Sequence, residues 1–311
     1  MSVLCFSGAD VARAVSPQEA FEAVRDAFVA HARGEWTMQP KLYVTNYPAG
    51  DFRAMPALGA GHALLKWVTS FPDNPARGLP TVTGLVLLSD ASTGELQAVL
   101  DAAAVTSLRT AAAAAIAAEV LRSPEAESIA VVGCGVNGAE TVRLLRARGA
   151  DVLVWDVREA RAAEVAERFG AIAASRTDAL SCDVVITVTP GGEVLFPPGS
   201  LRERQHVSLM GADGPGKAEI AVAELARASL FCDDWEQASH GGELAAGVVA
   251  GVLTRDRVME LGRVLNGEAD GRRSAEDITL FDSTGLAIQD LAIAITALSK
   301  AGGLDLQTID L

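Results

Sequence analysis

The sequence predicts an α/β protein with two domains, a doubly wound parallel-sheet domain and a second domain of the α+β class. After residue 128, near-continuous apolar runs alternate with helical segments, which is typical of parallel strands covered by helices on both faces. Residues 40 to 100 instead contain short β-like runs with no helices between them. The length of 311 residues also fits about two domains.

The N-terminal part begins with a helix in "SPQEAFEAVRDAFVAHARG", where Ser16 and Glu19 form a capping box around Pro17 and Gly34 ends the helix. The β-like runs that follow predict a mixed or antiparallel sheet. These runs are "KLYVTNY", "FRAMPAL", "LLKWVTS", "TGLVLLSD" and "LQAVLD".

The second domain alternates strands and helices from "SIAVVG" onward, and past residue 240 the chain reads as mainly helical. The last long segment, "STGLAIQDLAIAITALSKAGG", is apolar on nearly every face, as expected of a helix buried between domains or subunits. We therefore predict a first domain over residues 1–115 and a second, doubly wound domain over 116–285, followed by the apolar helix of 286–311.

Composition excludes several classes of partner. The formal net charge of −14 disfavours nucleic acid, which binds clustered Lys and Arg. The Ala-rich "TAAAAAIAAEVL" is too short for a membrane span, and the N-terminus lacks the pattern of a secretory signal, so we expect a cytoplasmic protein without membrane contact. The scattered cysteines, and the "HGGE" sequence at His240, which we expect to be a turn, predict no metal site.

A dinucleotide fingerprint follows the first strand of the second domain. In "VVGCGVNG", Gly133, Gly135 and Gly138 have the G-x-G-x-x-G spacing between a strand and a helix. The first permits the tight turn, the second admits the pyrophosphate, and the third allows close packing of the helix on the strand. A glycine-rich turn in another α/β fold is the alternative.

The second strand, "DVLVW", ends at Asp156, about twenty residues after the glycines. A carboxylate there accepts hydrogen bonds from the ribose hydroxyls and repels a 2′-phosphate. The sequence therefore predicts NAD rather than NADP, although Arg158 would weaken that preference.

Ligands of doubly wound sheets lie at the carboxyl ends of the strands, where "TVTP" and "GADGPGK" occur. We expect Thr189 and Pro190 to line the cofactor and Asp213 to face the reacting group. The residues alone leave open that Asp213 is a turn or N-cap carboxylate, a common role for Asp beside Gly.

The first domain carries four cations within or beside apolar runs, although such residues are rarely buried unpaired: Lys41, Arg53, Lys66 and Arg109. Lys66 interrupts the run "ALLKWVTS", where a buried amine would have a lowered pKa and could act as an acid or base. A snorkelling lysine at a strand edge is the alternative. Arg109, placed at the start of the Ala-rich helix, could bind a carboxylate with its planar fork. Together they indicate a small anionic substrate, an amino or keto acid.

The motifs "GDFRAMPAL", "LLKWVTSFPDNPARGLPTVTG", "VVGCGVNG", "GADGPGKAEI" and "FDSTGLAIQDLAIA" together resemble the ornithine cyclodeaminase/mu-crystallin family over nearly the whole chain. The archaeal-type L-alanine dehydrogenase branch is the most similar. Ornithine-cyclising members usually carry arginine where Lys41 stands.

The resemblance implies roles for individual residues. Lys41, Arg53 and Arg109 would hold the substrate carboxylate. Lys66 would polarise the carbonyl or imine, and Asp213 would be the acid/base. The remaining cofactor contacts would be Thr110, Val136, Asn137, Lys217 and Ser283.

The implied function is reversible, NAD-dependent oxidative deamination of a small L-amino acid, above all L-alanine, by a homodimer. The alternatives are reduction of a cyclic ketimine such as pyrroline-2-carboxylate, ornithine cyclodeamination, and a non-catalytic crystallin-like binding protein. The resemblance also implies that residues 1–115, completed by 286–311, form the substrate-binding and dimerisation domain, and that 116–285 form the NAD-binding Rossmann domain.

Overall fold

The computed structural model describes residues 2–212, 214 and 216–311, and the chain divides into two compact units. Unit 1 runs to Arg109 and includes 286–311, and unit 2 spans 110–285. The boundary expected after residue 115 and the boundary of these units after Arg109 both lie within one continuous helix, Ala102–Leu121.

The elements of the first part of the chain are mostly strands. In chain order they are β1 Ser2–Phe6, α1 Gly8–Ala14, α2 Pro17–Ala32, β2 Thr37–Met38, β3 Leu42–Asn46, β4 Gly50–Gly59, β5 His62–Ser70, β6 Val82–Asp90, β7 Leu96–Asp101 and α3 Ala102–Leu121.

The rest of the chain alternates strands and helices. In chain order its elements are β8 Ile129–Val132, α4 Val136–Ala147, β9 Val152–Trp155, α5 Glu159–Phe169, β10 Ile172–Ala173, α6 Arg176–Leu180, β11 Val184–Thr187, β12 His206–Leu209, α7 Val222–Leu225, β13 Ser229–Cys232, α8 Trp235–Gly241, α9 Ala245–Val249, β14 Val258–Glu260, α10 Leu261–Leu265, β15 Thr279–Asp282, α11 Ala287–Ser299 and β16 Gln307–Asp310.

Unit 1 is built on a mixed sheet in the order β16-β1-β7-β6-β5-β4-β2, with β3 paired to β4. Strands β4 to β7 form an antiparallel meander, and β1 pairs with β7 in parallel. The expected mixed sheet is confirmed, and so is the capping box of Ser16 and Glu19 on α2.

The central strand β5 has one buried and one exposed face. Leu64, Lys66 and Val68 are buried, whereas the alternate residues Leu65 and Trp67 are exposed. Successive side chains of a strand point to opposite faces, so Lys66 shares the buried face with apolar neighbours. The C-terminal helix α11 packs on β4, β5 and β6, and also on α2.

Unit 2 contains an eight-stranded parallel sheet in the order β10-β9-β8-β11-β12-β15-β13-β14. The chain leaves β8 toward β9 and β10, then returns to add β11 on the other side of β8. The strand order thus reverses between β8 and β11, and this switch point is where doubly wound sheets bind ligands. The predicted fold class is confirmed.

Past residue 240 helices predominate over strands, as expected, but short strands that the sequence reading did not predict also occur there. β15 lies inside the sheet between β12 and β13, and β14 forms one edge. Each strand has four residues or fewer, which is too short for a periodicity to separate strand from helix. The "HGGE" sequence begins with His240 in the last turn of α8, and Glu243 lies in the turn that follows the helix, so the expected turn is present only in part.

The Ala-rich helix α3 has the length and apolar composition of a membrane span, with a mean hydropathy of 1.4. Within the protein, 72% of that apolar window is buried. Burial of this kind is typical of a core helix, as the sequence predicts.

Candidate functional site

The three fingerprint glycines have the backbone geometry that a dinucleotide loop requires. Gly133 has a φ of +100°, and a Cβ there would lie 2.6 Å from the carbonyl oxygen of Val188. A Cβ on Gly138 would lie 1.8 Å from the carbonyl oxygen of Gly133, so α4 could not pack as it does. Gly135 caps α4 and has open space at its Cβ position. The N-terminus of α4 is therefore accessible, and it fits the pyrophosphate of a dinucleotide cofactor.

Asp156 follows β9 and its carboxylate organises the glycine loop. Its Oδ2 accepts from the backbone N–H of Cys134 at 2.7 Å, and its Oδ1 accepts from that of Arg158 at 2.8 Å. Asp156 is nearly buried. A carboxylate held in this way beside the fingerprint has the position expected of the ribose acceptor.

Several predicted cofactor residues lie in unit 2 at the carboxyl ends of its strands. Thr189 follows β11, and its hydroxyl donates to Glu219. Pro190 is exposed, and the neighbouring Gly191 lies near Lys217, whose Cβ is 3.1 Å from the position of a Cβ built on Gly191.

The other predicted cofactor contacts are dispersed over unit 2. Ser283 follows β15 and donates to Asp233 at 3.2 Å. Thr110 is buried, and its hydroxyl has no hydrogen-bond partner within residues 2–212, 214 and 216–311. Val136 is exposed and Asn137 half-buried at the start of α4. Asp213 lies outside the described residues.

Lys66 is held in unit 1 as a buried amine. It is 1% exposed, and its Nζ donates to Asp290 Oδ1 at 2.8 Å and to Thr106 Oγ1 at 2.6 Å. Burial lowers the pKa of Lys66 to about 8, although Asp290 opposes that shift; Arg109 and Arg53 lower the pKa further. The strand-edge snorkelling alternative is therefore wrong, since Lys66 lies on a central strand.

Two arginines lie close enough to Lys66 to act on its charge. Arg53 forms an ion pair with Asp51, at 2.6 Å from Nε to Oδ1, and its guanidinium lies over the ring of Tyr43. Arg109 Nε lies 3.7 Å from Asp290 Oδ1 and has no hydrogen-bond partner among the described residues. Arg109 lies two turns into α3, not at the start of the helix as expected.

The structure therefore collects Arg53, Lys66 and Arg109 in one unit, where these three cations face the carboxylates of Asp51 and Asp290. An excess of buried positive charge favours an anionic ligand. Lys41 lies half-buried just before β3.

Sequence reasoning missed Asp290, Gln289 and Asp51. Gln289 Oε1 accepts from Arg109 Nη1 at 3.5 Å, and Gln289 Nε2 is buried with no partner in the part of the chain that the structure describes. Gln289 and Asp290 could have been found from the sequence, because they are polar residues inside the apolar segment "GLAIQDLAIA". A carboxylate buried in such a segment needs a cation as its partner.

Comparisons with known proteins agree with this arrangement. The family model described as "Ornithine cyclodeaminase/mu-crystallin family" matches residues 4–302. An alanine dehydrogenase of Archaeoglobus fulgidus is 41% identical over 308 residues, covering 94% of each chain. A Delta(1)-pyrroline-2-carboxylate reductase of Paracoccus denitrificans is 32% identical over 286 residues, covering 87% of this chain and 90% of that protein.

Solved structures extend the similarity to the whole fold. An archaeal alanine dehydrogenase dimer with bound NAD superposes with a TM-score of 0.94 at 40% identity, and the match covers 100% of both chains. The family match over nearly the whole chain, the identity to these relatives and the shared fold lead to one conclusion. This chain belongs to the ornithine cyclodeaminase/mu-crystallin family.

Proposed function

We propose that this chain is an NAD-dependent dehydrogenase that reversibly deaminates L-alanine to pyruvate and ammonium. The observation that carries the proposal is the buried Lys66 amine, which donates to Asp290 and Thr106 and has a pKa of about 8. Such a group can exchange protons with a carbonyl or imine near neutral pH. The similarity to an alanine dehydrogenase over 94% of the chain supports the choice of alanine.

The cofactor would be held by the loop and helix that follow β8. The backbone of Gly133 to Gly138 would bind the pyrophosphate at the N-terminus of α4, and Asp156 would accept from the ribose hydroxyls. NAD supplies the two-electron oxidant for the α-carbon of alanine. A carboxylate at position 156 also disfavours NADP, because a 2′-phosphate would be repelled.

The substrate carboxylate would be held by the cations of unit 1. Arg109 presents a buried Nε that no group in the described part of the chain binds, which is a donor suited to a carboxylate oxygen. Arg53 is fixed by Asp51, so its guanidinium is held in one orientation before substrate binds. Lys41 would complete the set.

Proton transfer would be divided between Lys66 and Asp213. Protonated Lys66 would donate a hydrogen bond to the carbonyl or imine and make its carbon more electrophilic. Asp213 would take protons from the attacking water and return them to the departing amine, which is general acid–base catalysis. Asp290 keeps Lys66 protonated to a higher pH than burial alone would allow.

Reduction of a cyclic imine is the second candidate, because a Delta(1)-pyrroline-2-carboxylate reductase shares 32% identity over most of the chain. That reaction would use the same cofactor and cation sites. Ornithine cyclisation is less consistent with Lys41, since arginine is usual at this position in ornithine-cyclising members.

A homodimer is the proposed assembly, and the exposed face of the unit 1 sheet is its proposed interface. Trp67 on β5 is 41% exposed and pairs in register with Leu85 on β6, which is 51% exposed. Leu42 and Val44 add exposed apolar surface on β3. Contiguous apolar surface of this kind marks an interaction site, and the similar archaeal structure is a dimer. The four free cysteines support a reducing, cytoplasmic location.

The experiment offers the purified protein NAD with L-alanine and with L-ornithine, following NADH and products, and then NADH with pyruvate and ammonium or with pyrroline-2-carboxylate. Net NADH with pyruvate from alanine is expected. Proline from ornithine without net NADH would indicate cyclisation, fast oxidation of NADH by the cyclic imine alone would indicate the reductase, and inactivity with all four would indicate a binding protein.

A further inference from the structure

Glu219 is a buried carboxylate with three hydrogen-bond donors directed at it. Thr187 Oγ1 and Thr189 Oγ1 each donate to it at 2.5 Å, and the backbone N–H of Gly211 donates at 3.2 Å. The residue is 0% exposed. One side chain therefore connects the carboxyl end of β11 with the residues that follow β12.

Glu219 also closes a loop. Its side chain binds the backbone of Gly211, and its own backbone is held by residues 195 and 196. The carbonyl of Glu219 accepts from the N–H groups of Leu195 and Phe196, at 2.7 and 3.0 Å. A Cβ on Gly211 would lie 2.6 Å from the Glu219 carboxyl carbon, so the space at that position is filled by this carboxyl group. The segment 211–219 is thus anchored at both ends by one residue, and Asp213 belongs to that segment.

A second carboxyl group supports this anchor. The backbone N–H of Glu219 donates to both oxygens of Glu243, at 2.8 and 3.0 Å. Burial, with Glu219 and Asp282 nearby, raises the pKa of Glu243 to about 9, so Glu243 is protonated at neutral pH. Burial also raises the pKa of Glu219, whereas its donors from Thr187, Thr189 and Gly211 oppose that shift.

We propose that Glu219 is a positioning residue, which fixes both ends of segment 211–219, the segment that contains Asp213 in the sequence, at the strand ends that carry Thr189. The inference rests on the proposed function, which makes Asp213 the acid/base. Misplacement of a catalytic group by about 1 Å costs roughly 100-fold in rate, so an anchor of this kind acts on kcat without touching substrate.

Glu224 provides a matched control in the same unit. It is also 0% exposed, and it accepts from the backbone N–H groups of Gly199 and Leu201 and from Arg227. Its loop precedes β12, so Glu224 closes a loop at the amino ends of the strands. Glu219→Gln and Glu224→Gln therefore make the same chemical change, one at the carboxyl ends and the other at the amino ends of the strands of one sheet.

The test compares both variants with the wild-type protein in L-alanine oxidation, NAD binding and hydrogen exchange measured by mass spectrometry. Glu219→Gln should lower kcat by at least about tenfold, with the KM for NAD changed by less than about threefold, and should speed amide exchange in 211–219. Glu224→Gln should keep kcat and speed exchange around 199–205 instead.

Equal kcat in the two variants, or unchanged exchange in 211–219 of Glu219→Gln, would overturn the inference. If the wild-type protein does not oxidise L-alanine, the proposed function fails separately, and the exchange data still decide whether Glu219 anchors the segment. If Glu219→Gln is too unstable to assay, Thr189→Val removes one of the three donors and should lower kcat in the same direction.

Discussion

Asp290 Oδ1 lies 2.8 Å from the Nζ of Lys66, and both side chains are buried. The two residues are 224 positions apart in the sequence, on α11 and β5. Their contact brings the C-terminal helix into the charge balance of the proposed catalytic amine, because Asp290 stabilises the protonated form that burial disfavours.

Asp290→Asn should lower the pKa of Lys66 below its value of about 8, because the group that raises that pKa most is removed. In the direction from pyruvate to alanine, protonated Lys66 is required, so the rate should be lost as pH rises through that pKa. In a plot of kcat/KM against pH, measured at a fixed concentration of free ammonia, the falling limb should therefore move to lower pH in the variant. Asp26→Asn, on the exposed face of α2, is the control and should leave the limb in place.

The same lowered pKa predicts how stability depends on pH. Between about 8 and the ordinary value of 10.5, the unfolded chain binds a proton at Lys66 that the folded protein does not. The free energy of unfolding should therefore rise with pH across this window, by on the order of 3 kcal/mol from this group. Urea unfolding from pH 7.5 to 10 gives the free energy of unfolding of the wild type and of Lys66→Met. The contribution of Lys66 is the difference between the two proteins at each pH. Parallel curves for the two proteins would contradict the assignment.

How much the sequence predicts depends on how local the cause is. The burial of Lys66 follows from its place in one apolar run, and the roles of Gly133 and Asp156 follow from spacings of about twenty residues. The partner of Lys66 was not predicted, since nothing in "GLAIQDLAIA" states which strand α11 covers. The strand β15 was also missed, because four residues carry too little periodicity. The partner of Lys66 and the place of β15 in the sheet both depend on packing between distant parts of the chain. No short stretch of sequence shows such packing.

Two of the three fingerprint glycines, Gly135 and Gly138, should have different effects when each is replaced by alanine. Gly138→Ala places a Cβ 1.8 Å from the Gly133 carbonyl oxygen, so it should lower both the melting temperature and NAD affinity. Gly135→Ala meets nothing within 4 Å and should keep the melting temperature while weakening NAD binding, because a methyl group would stand between the backbone and the pyrophosphate. Thermal unfolding with NAD titration separates the two. Equal effects would refute the distinct roles.

Asp156→Ser should shift the preference of the protein toward NADP. The serine removes the charge that repels a 2′-phosphate, while the adjacent Arg158 remains to attract it. We expect the ratio of kcat/KM for NADP to that for NAD to rise at least about tenfold, which is about 1.4 kcal/mol. Asp151→Ser is the control, since Asp151 is an exposed residue that precedes β9. An unchanged ratio would mean that a group other than Asp156 determines the preference at the 2′ position of the ribose.

Trp67→Glu should weaken the proposed dimer. Trp67 stacks on Phe52 at 5.8 Å between ring centroids and is exposed beside Leu85, so a carboxylate there would place a charge in the apolar face. Sedimentation of the variant should show monomers at concentrations where the wild type is dimeric. Val249→Glu, on an 89% exposed side chain in unit 2, should leave the assembly unchanged. A dimeric Trp67→Glu protein would place the interface elsewhere.

The most direct test of the central claim is the formation of NADH from NAD and L-alanine by the wild-type protein and by Lys66→Met, with pyruvate measured in the same reaction. The account predicts one pyruvate for each NADH in the wild type, and in the variant a loss of kcat by at least about 100-fold with NAD still bound. Wild-type protein that binds NAD but forms neither product, or a Lys66→Met variant with undiminished kcat, would contradict it.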